Sequence, residues 1–157
     1  MCGLRLRGVH FRARRPAPHL PIGQGLTSAA AAATFARNLD FQSELRLWSD
    51  TLAKAQDNPR AHYHLAQIFA AQRNQTAEAY QHYLAALRLK PDYYDAHFNL
   101  ATLLAKQPNR QREAQFHFGE TLRLKPDHAE AHNNLASLLT SLPGGPTLAL
   151  AHYAEAL

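Results

Sequence analysis

Cysteine is nearly absent from the chain, since its 157 residues include only Cys2. A single cysteine excludes an internal disulfide framework, and it also excludes a metal cluster held by thiolates. The cellular compartment stays open, because a chain without disulfides suits oxidising and reducing surroundings alike. We expect the cytoplasm first, with the lumen of the endoplasmic reticulum or the mitochondrion as alternatives.

The sequence also lacks a long hydrophobic run. One uncharged stretch extends from Pro16 to Ala36, and three prolines, a histidine and a glutamine interrupt it. A membrane helix needs about 20 predominantly apolar residues. We therefore expect no membrane span in this chain.

Acidic residues are missing from residues 1–39, which contain six arginines. We predict that residues 1–24 are a basic, disordered N-terminal extension. The alternatives are a mitochondrial leader and an arm that binds nucleic acid or anionic lipid. From Asp40 onward, 11 basic residues face 12 acidic ones. This near-neutral balance argues against nucleic-acid binding by that part of the chain.

Motifs that carry catalysis are absent as well: the sequence has no glycine-rich phosphate loop, no HExxH and no GxSxG. Histidine is abundant, with ten residues, and six of the ten recur in two series at a spacing of 35. One residue per repeat predicts that no two members of a series share a metal ion at ligand distances of about 2 Å. We expect no enzyme activity, no cofactor and no metal site, and we interpret the first series as flat, half-buried spacers between neighbouring hairpins. The two series are His62, His97 and His132, and His82, His117 and His152.

A repeated segment dominates the rest of the sequence. "RLKPDYYDAHFNLA" (residues 88–101) returns as "RLKPDHAEAHNNLA" (residues 123–136), and "DNPRAHYHLA" (residues 57–66) is a looser copy. After Pro91, small or apolar residues follow at helical spacing, and a second helical pattern begins after Pro108. Each period therefore predicts two helices of about 12–14 residues joined by a turn, which is a helical hairpin.

Small residues recur at fixed positions and explain the period. A close approach of two helices requires a side chain no larger than a methyl group at the contact. We predict that the following residues pack in the core: Ala66, Ala101, Ala136, Ala79, Ala114 and Ala149, with Phe69, Leu104, Leu139, Tyr83, Phe118 and Tyr153.

These landmarks resemble the tetratricopeptide repeat family, whose unit of about 34 residues carries the same small, aromatic and proline positions. The resemblance covers residues 40–157 and implies an all-α solenoid with repeats that start near residues 59, 94 and 129. Residues 25–39 are interpreted as an alanine-rich helix of uncertain role, the only candidate for a first helix that would pair with residues 40–58. We expect the array to be truncated at its C-terminus. The uncapped end at Leu148, Leu150, Tyr153 and Leu157 predicts self-association.

The resemblance implies that the first helices line a concave groove that binds a protein or an extended peptide. Asparagine both donates and accepts hydrogen bonds, so it can pair with any peptide amide. The row of asparagines resembles the peptide-reading ladder of O-GlcNAc transferase, although one position holds histidine. The alternative is that these side chains are polar residues on a solvated groove. The predicted groove residues are His64, Asn99 and Asn134, with Tyr63, Phe98, Gln67 and Thr102.

A second resemblance concerns "ARNLDFQSELRLW" (residues 36–48) and "NQTAEAYQHYLAALRLKP" (residues 74–91). Both are similar to the repeat region of transmembrane O-mannosyltransferases that carry tetratricopeptide repeats. This resemblance implies an alternative function, in which the chain is the substrate-recognition portion of a glycosyltransferase whose catalytic membrane part is absent. Asn74 begins an Asn-Gln-Thr sequon and is a candidate for glycosylation.

Overall fold

The computed structural model describes residues 24–72, 74–140 and 145–157, and all regular elements in that part of the chain are helices. The prediction of an all-α solenoid is confirmed. The extension predicted for residues 1–24 lies outside the described residues except for Gln24. The helices are α1 (Gln24–Lys54), α2 (Pro59–Ala70), α3 (Thr76–Leu89), α4 (Tyr94–Ala105), α5 (Gln111–Leu124), α6 (Ala129–Thr140) and α7 (Gly145–Glu155), and a short 3-10 helix (Pro108–Arg110) precedes α5.

The helices pair as hairpins. Contacts are most extensive between α2 and α3, between α4 and α5, and between α6 and α7, and smaller contacts join α3 to α4 and α5 to α6. The three hairpins belong to one compact unit, Arg37–Leu157. Each hairpin therefore packs mainly on itself and then on its neighbour, which is the contact pattern of a repeat array.

Helix α1 is continuous from Gln24 to Lys54. The alanine-rich segment is therefore the beginning of the same helix that contains Asp40, and not a separate first helix. The reason lies in the sequence, because residues 26–54 contain neither glycine nor proline to end a helix.

Proline and asparagine fix the beginning of α2. Pro59 occupies the first turn, where its missing N–H costs no hydrogen bond. The side chain of Asn58 accepts hydrogen bonds from the backbone N–H groups of Arg60 (3.0 Å) and Ala61 (3.1 Å). Such a cap stabilises a helix by about 1 kcal/mol.

The predicted small residues form the centre of the core. All six alanines are at most 1% exposed, and Leu104, Tyr83 and Phe118 are also buried. Phe69 is half-buried and packs on the His82 ring, with the two centroids 5.3 Å apart. The methyl groups permit the backbones of neighbouring helices to approach, and the large side chains fill the space around them.

The predicted apolar end is exposed, but for two different reasons. Tyr153 is 36% exposed, whereas its equivalents Tyr83 and Phe118 are buried beneath following helices. Leu148 and Leu150 are 60% and 70% exposed at positions that hold Glu113 and Gln115 one repeat earlier, so no following helix would cover them. Self-association through this end stays a prediction.

Histidine pairs connect the two helices of every hairpin. The Nδ1 atoms of His62 and His82 lie 3.0 Å apart, those of His97 and His117 2.9 Å, and those of His132 and His152 3.0 Å. The expectation that the first series separates neighbouring hairpins is therefore wrong: its members bond within their own hairpin. The two series meet because 20 residues separate the members of each pair.

The carbonyl groups before the first helices determine how the protons are arranged. The Nε2 atom of His97 lies 3.0 Å from the Pro91 carbonyl oxygen, and that of His132 lies 2.9 Å from the Pro126 carbonyl oxygen. A carbonyl oxygen only accepts, so Nε2 carries the proton. In a neutral pair, Nδ1 of the first histidine then accepts the hydrogen bond, and the Nδ1–H group of its partner donates it. When two protons are added, so that both rings are charged, the two Nδ1–H groups point at each other and the pair breaks.

Replacing Ala101 with leucine tests the core. We expect the variant to lose about 1–3 kcal/mol of unfolding free energy, because three extra carbon atoms have no space at a fully buried site. Chemical denaturation measures the loss. Ala77→Leu is the matched control, because Ala77 is exposed on α3. Equal stability of the two variants would contradict the packing described here.

The histidine pairs predict that stability falls in acid. Burial, and then the neighbouring His97, lower the pKa of His117 to about 4, and burial with the paired histidine also lowers the pKa of His82 and of His152. Histidines of the unfolded chain bind protons near pH 6.5, whereas these folded histidines bind them only at a lower pH. The unfolding free energy is therefore highest above pH 6.5 and decreases as the pH falls toward 4. For His117 alone the loss at pH 4 is roughly 3 kcal/mol.

Denaturation at a series of pH values measures this loss. His117→Gln retains an N–H donor but does not titrate, so its stability should depend less on pH between 6.5 and 4. An unchanged pH dependence would show that the pair does not control acid stability.

Candidate functional site

The predicted groove residues lie on α2, α4 and α6. Helix α2 contacts α4, and α4 contacts α6. His64, Asn99 and Asn134 occupy the same position of the three helices, and all three are half-buried. We call the surface that carries them and their neighbours the groove face. Its regular spacing follows from the 35-residue period.

The hydroxyl group of Tyr63 connects two repeats across the groove face. Asn99 Nδ2 on α4 donates a hydrogen bond to Tyr63 Oη on α2 (2.9 Å), and Gln67 Nε2 donates to the same oxygen (2.9 Å). Because the oxygen accepts twice, its own proton is available to a further acceptor. The bond fixes the Asn99 amide and leaves its carbonyl oxygen and one N–H for a ligand.

Tyr63 stays protonated at physiological pH. Burial and then the nearby Asp95 and Tyr93 raise the pKa of its hydroxyl to about 12, against a smaller lowering by the Asn99 hydrogen bond. A neutral hydroxyl can both accept and donate, so the contact between the two repeats does not depend on pH in this range.

His64 continues this network toward α1. Its Nδ1 atom lies 3.2 Å from Gln67 Oε1, and its ring stacks on Trp48 at 4.1 Å between centroids with an angle of 16° between the planes. Since Gln67 uses its amide N–H toward Tyr63, its oxygen accepts from His64. The histidine therefore presents Nε2 as the remaining acceptor.

The aromatic residues of the groove face are partly covered by the next hairpin. Tyr63 packs on Tyr93 at 4.8 Å between ring centroids, and Phe98 packs on His128 at 4.6 Å. The sequence analysis missed both covering residues. Tyr93 and His128 stand 35 residues apart, and that shared phase could have identified them.

The remaining groove residues differ in the hydrogen bonds that their side chains form. Thr102 donates its hydroxyl proton to the Phe98 carbonyl within α4 (2.9 Å), so only its oxygen is open to a ligand. The side chain of Asn134 forms no hydrogen bond with any described residue. Phe98 stands where Tyr63 stands one repeat earlier, and it offers Asn134 no hydroxyl. The two asparagines are thus equivalent in position but differ in their surroundings.

Two cavities open on the groove face. One, of about 390 Å³, lies among α4, α5 and α6 and has Asn134 on its wall. The other, of about 300 Å³, lies between α1 and α2 and has His64 on its wall. Amides, hydroxyl groups and aromatic rings at this face can hydrogen-bond and stack, which are the contacts that an extended chain requires.

Among the described residues, no group of three or more histidine, cysteine or acidic side chains is arranged so that it could hold a metal ion. Asn74 is exposed in the turn between α2 and α3, two residues before the first residue of α3. Among the described residues, no helix combines the length and the hydrophobicity that a bilayer crossing requires.

Comparison with known proteins adds a family match. A family model described as "TPR repeat" matches residues 70–107, which extend from the end of α2 to the turn after α4. No curated protein sequence shows significant similarity to the chain.

Solved structures share the fold. A crystal structure of MamA aligns with a TM-score of 0.65 at 16% identity, over 71% of this chain and 64% of that one. A second MamA structure aligns at 0.61 with 20% identity, over 78% and 68%. A mutant of the Thermobaculum terrenum O-GlcNAc transferase aligns at 0.59 with 26% identity, over 74% of this chain and 22% of that one.

The matched segment contains α3 and α4, and the equivalent helices α5 and α6 begin 35 residues later than each of them. Domains built from such repeats typically bind proteins and are not themselves catalysts. Residues 70–107 thus match the tetratricopeptide repeat family, and the hairpins formed by α2 and α3, α4 and α5, and α6 and α7 share one fold and one period with that segment.

Proposed function

We propose that the chain is a non-catalytic protein-interaction module and that the groove face binds an extended peptide. The observation that carries the proposal is the pair Asn99 and Asn134, two amides at the same position of successive helices. An extended chain that follows the groove face meets one amide in each repeat. Each amide can form a hydrogen bond with the peptide backbone, as donor or as acceptor, whatever the peptide side chains are.

The surroundings of Asn99 support the proposal further. Its hydrogen bond to Tyr63 fixes the amide before a ligand arrives, which reduces the entropy lost on binding. The exposed sides of Tyr63 and Phe98 can pack peptide side chains, because their other sides already rest on Tyr93 and His128.

The absence of the catalytic motifs named above supports a binding role. Self-association through the exposed side chains of α7 would be an additional contact, separate from the groove face.

The double change of Asn99→Ala and Asn134→Ala tests the function. A peptide is first selected on the full chain from a displayed random library, and its affinity is then measured by titration. One hydrogen bond is lost at each asparagine, and each bond is worth roughly 0.5–1.5 kcal/mol, so affinity should fall by about 5- to 150-fold. Circular dichroism and denaturation check that the variant still folds, because Asn99→Ala also removes the bond to Tyr63.

The control carries changes on the second helices. His82 and His117 are unsuitable, because they bond to His62 and His97 inside the hairpins. Gln81→Ala with Gln115→Ala is suitable, since both side chains are exposed on α3 and α5. Equal affinities of the wild type and the asparagine variant would remove the groove face from the function.

A second candidate function is that of a repeat portion of a glycosyltransferase. The alignment with the Thermobaculum terrenum O-GlcNAc transferase favours it, as does the exposed sequon at Asn74. Sequencing of full-length transcripts that encode residues 40–157 tests it. A run of encoded membrane helices or a catalytic domain supports this candidate, and transcripts that encode neither contradict it.

A further inference from the structure

The two cavities of the groove face lie at equivalent positions of two different repeats. Five lining residues of the cavity near α1 recur in the other cavity exactly two periods later, at numbers that are larger by 70. We call them the first cavity and the second cavity. The matched residues are Phe41, Trp48, His64, Gln67 and Ile68 in the first cavity, and Gln111, Phe118, Asn134, Ser137 and Leu138 in the second.

The intermediate repeat separates the cavities. Its equivalent position carries Asn99, whose amide is bonded to Tyr63 Oη. A peptide that lies along the groove face would therefore pass one cavity, then the fixed amide, then the other cavity. The floors of both cavities are apolar, because Ile68 and Leu138 are 7% and 6% exposed. Such floors suit the aliphatic stems of long side chains.

The charges at the cavities are opposite. Asp40 and Glu44 line the first cavity, both are exposed, and neither forms an ion pair within the described chain. Lys106 lines the second cavity, is exposed, and likewise pairs with no acid among the described residues. The difference arises because the repeats diverge at these positions. Two periods after Asp40 the chain has Arg110, and two periods after Glu44 it has Ala114, so neither acidic residue recurs.

The charges have different neighbours as well. Among the residues that the structure describes, no cation lines the first cavity, and no acid lines the second. Charges beside apolar walls attract ligand charges of the opposite sign more strongly than isolated surface charges do. With a neutral peptide bound, none of the three charged groups would have a partner of opposite charge among the described residues.

We propose, on the basis of the peptide-binding function above, that the partner is an extended segment with a basic side chain near one end and an acidic side chain near the other. Lysine or arginine occupies the first cavity, with its stem against Phe41 and its charge at Asp40 and Glu44. Aspartate or glutamate occupies the second cavity, with its carboxylate at Lys106 and the Asn134 amide. The backbone pairs with Asn99 between them, so the two charges fix the direction in which the peptide lies.

Selection from a displayed random-peptide library tests the proposal on the full chain. We expect the wild type to enrich peptides with Lys or Arg toward one end and Asp or Glu toward the other. A charge-reversed variant with Asp40→Lys, Glu44→Lys and Lys106→Glu should enrich the opposite order. Replacing either charged residue of a selected peptide with glutamine should weaken wild-type binding by about 3- to 10-fold, and less at high salt.

The control variant reverses charges elsewhere. Glu78→Lys with Arg112→Glu changes exposed residues on α3 and α5, and it should enrich the same order as the wild type. Selected peptides that lack the charge pattern but still depend on Asn99 and Asn134 would overturn this inference and leave the proposed function intact. Failure of every variant to enrich any peptide would overturn both.

Discussion

The close packing of alanine between helices is the constraint on which the rest of the structure depends. Ala66, Ala101 and Ala136 are completely buried at equivalent positions of the first helices. A methyl group at such a contact permits a helix separation near the lower end of the usual range, about 8 Å. Because the contact recurs every 35 residues, each later feature of the surface recurs at the same interval.

The histidine pairs and the groove face are two consequences of this register. Inside each hairpin the register brings two imidazole rings to hydrogen-bonding distance. This bond connects the two helices, but it also makes the stability of the fold decrease at low pH. On the groove face the same register aligns His64, Asn99 and Asn134, and it produces cavities at equivalent positions. Regular packing thus yields a regular surface, and the charges of Asp40, Glu44 and Lys106 make its two ends different.

Periodicity predicts the fold well because it depends on the spacing of residues along one helix. The buried alanines and the helical hairpins are visible in the sequence for that reason. The pairing of His97 with His117 is not, because it depends on how two helices are rotated about their axes and on the length of the turn between them. The Asn99 hydrogen bond to Tyr63 likewise depends on side-chain rotamers in two different repeats. The continuity of α1 follows from the absence of a helix breaker, a signal that was present in the sequence.

The central claim is that an extended peptide lies on the groove face, along α2, α4 and α6. Nuclear magnetic resonance of the isotopically labelled full chain, titrated with a peptide selected on it, tests this claim most directly. The side-chain amide signals of Asn99 and Asn134 should shift together and saturate at the same peptide concentration, while those of Gln81 and Gln115 should stay in place. Shifts confined to Gln81 and Gln115, with both asparagine signals unchanged, would contradict the account.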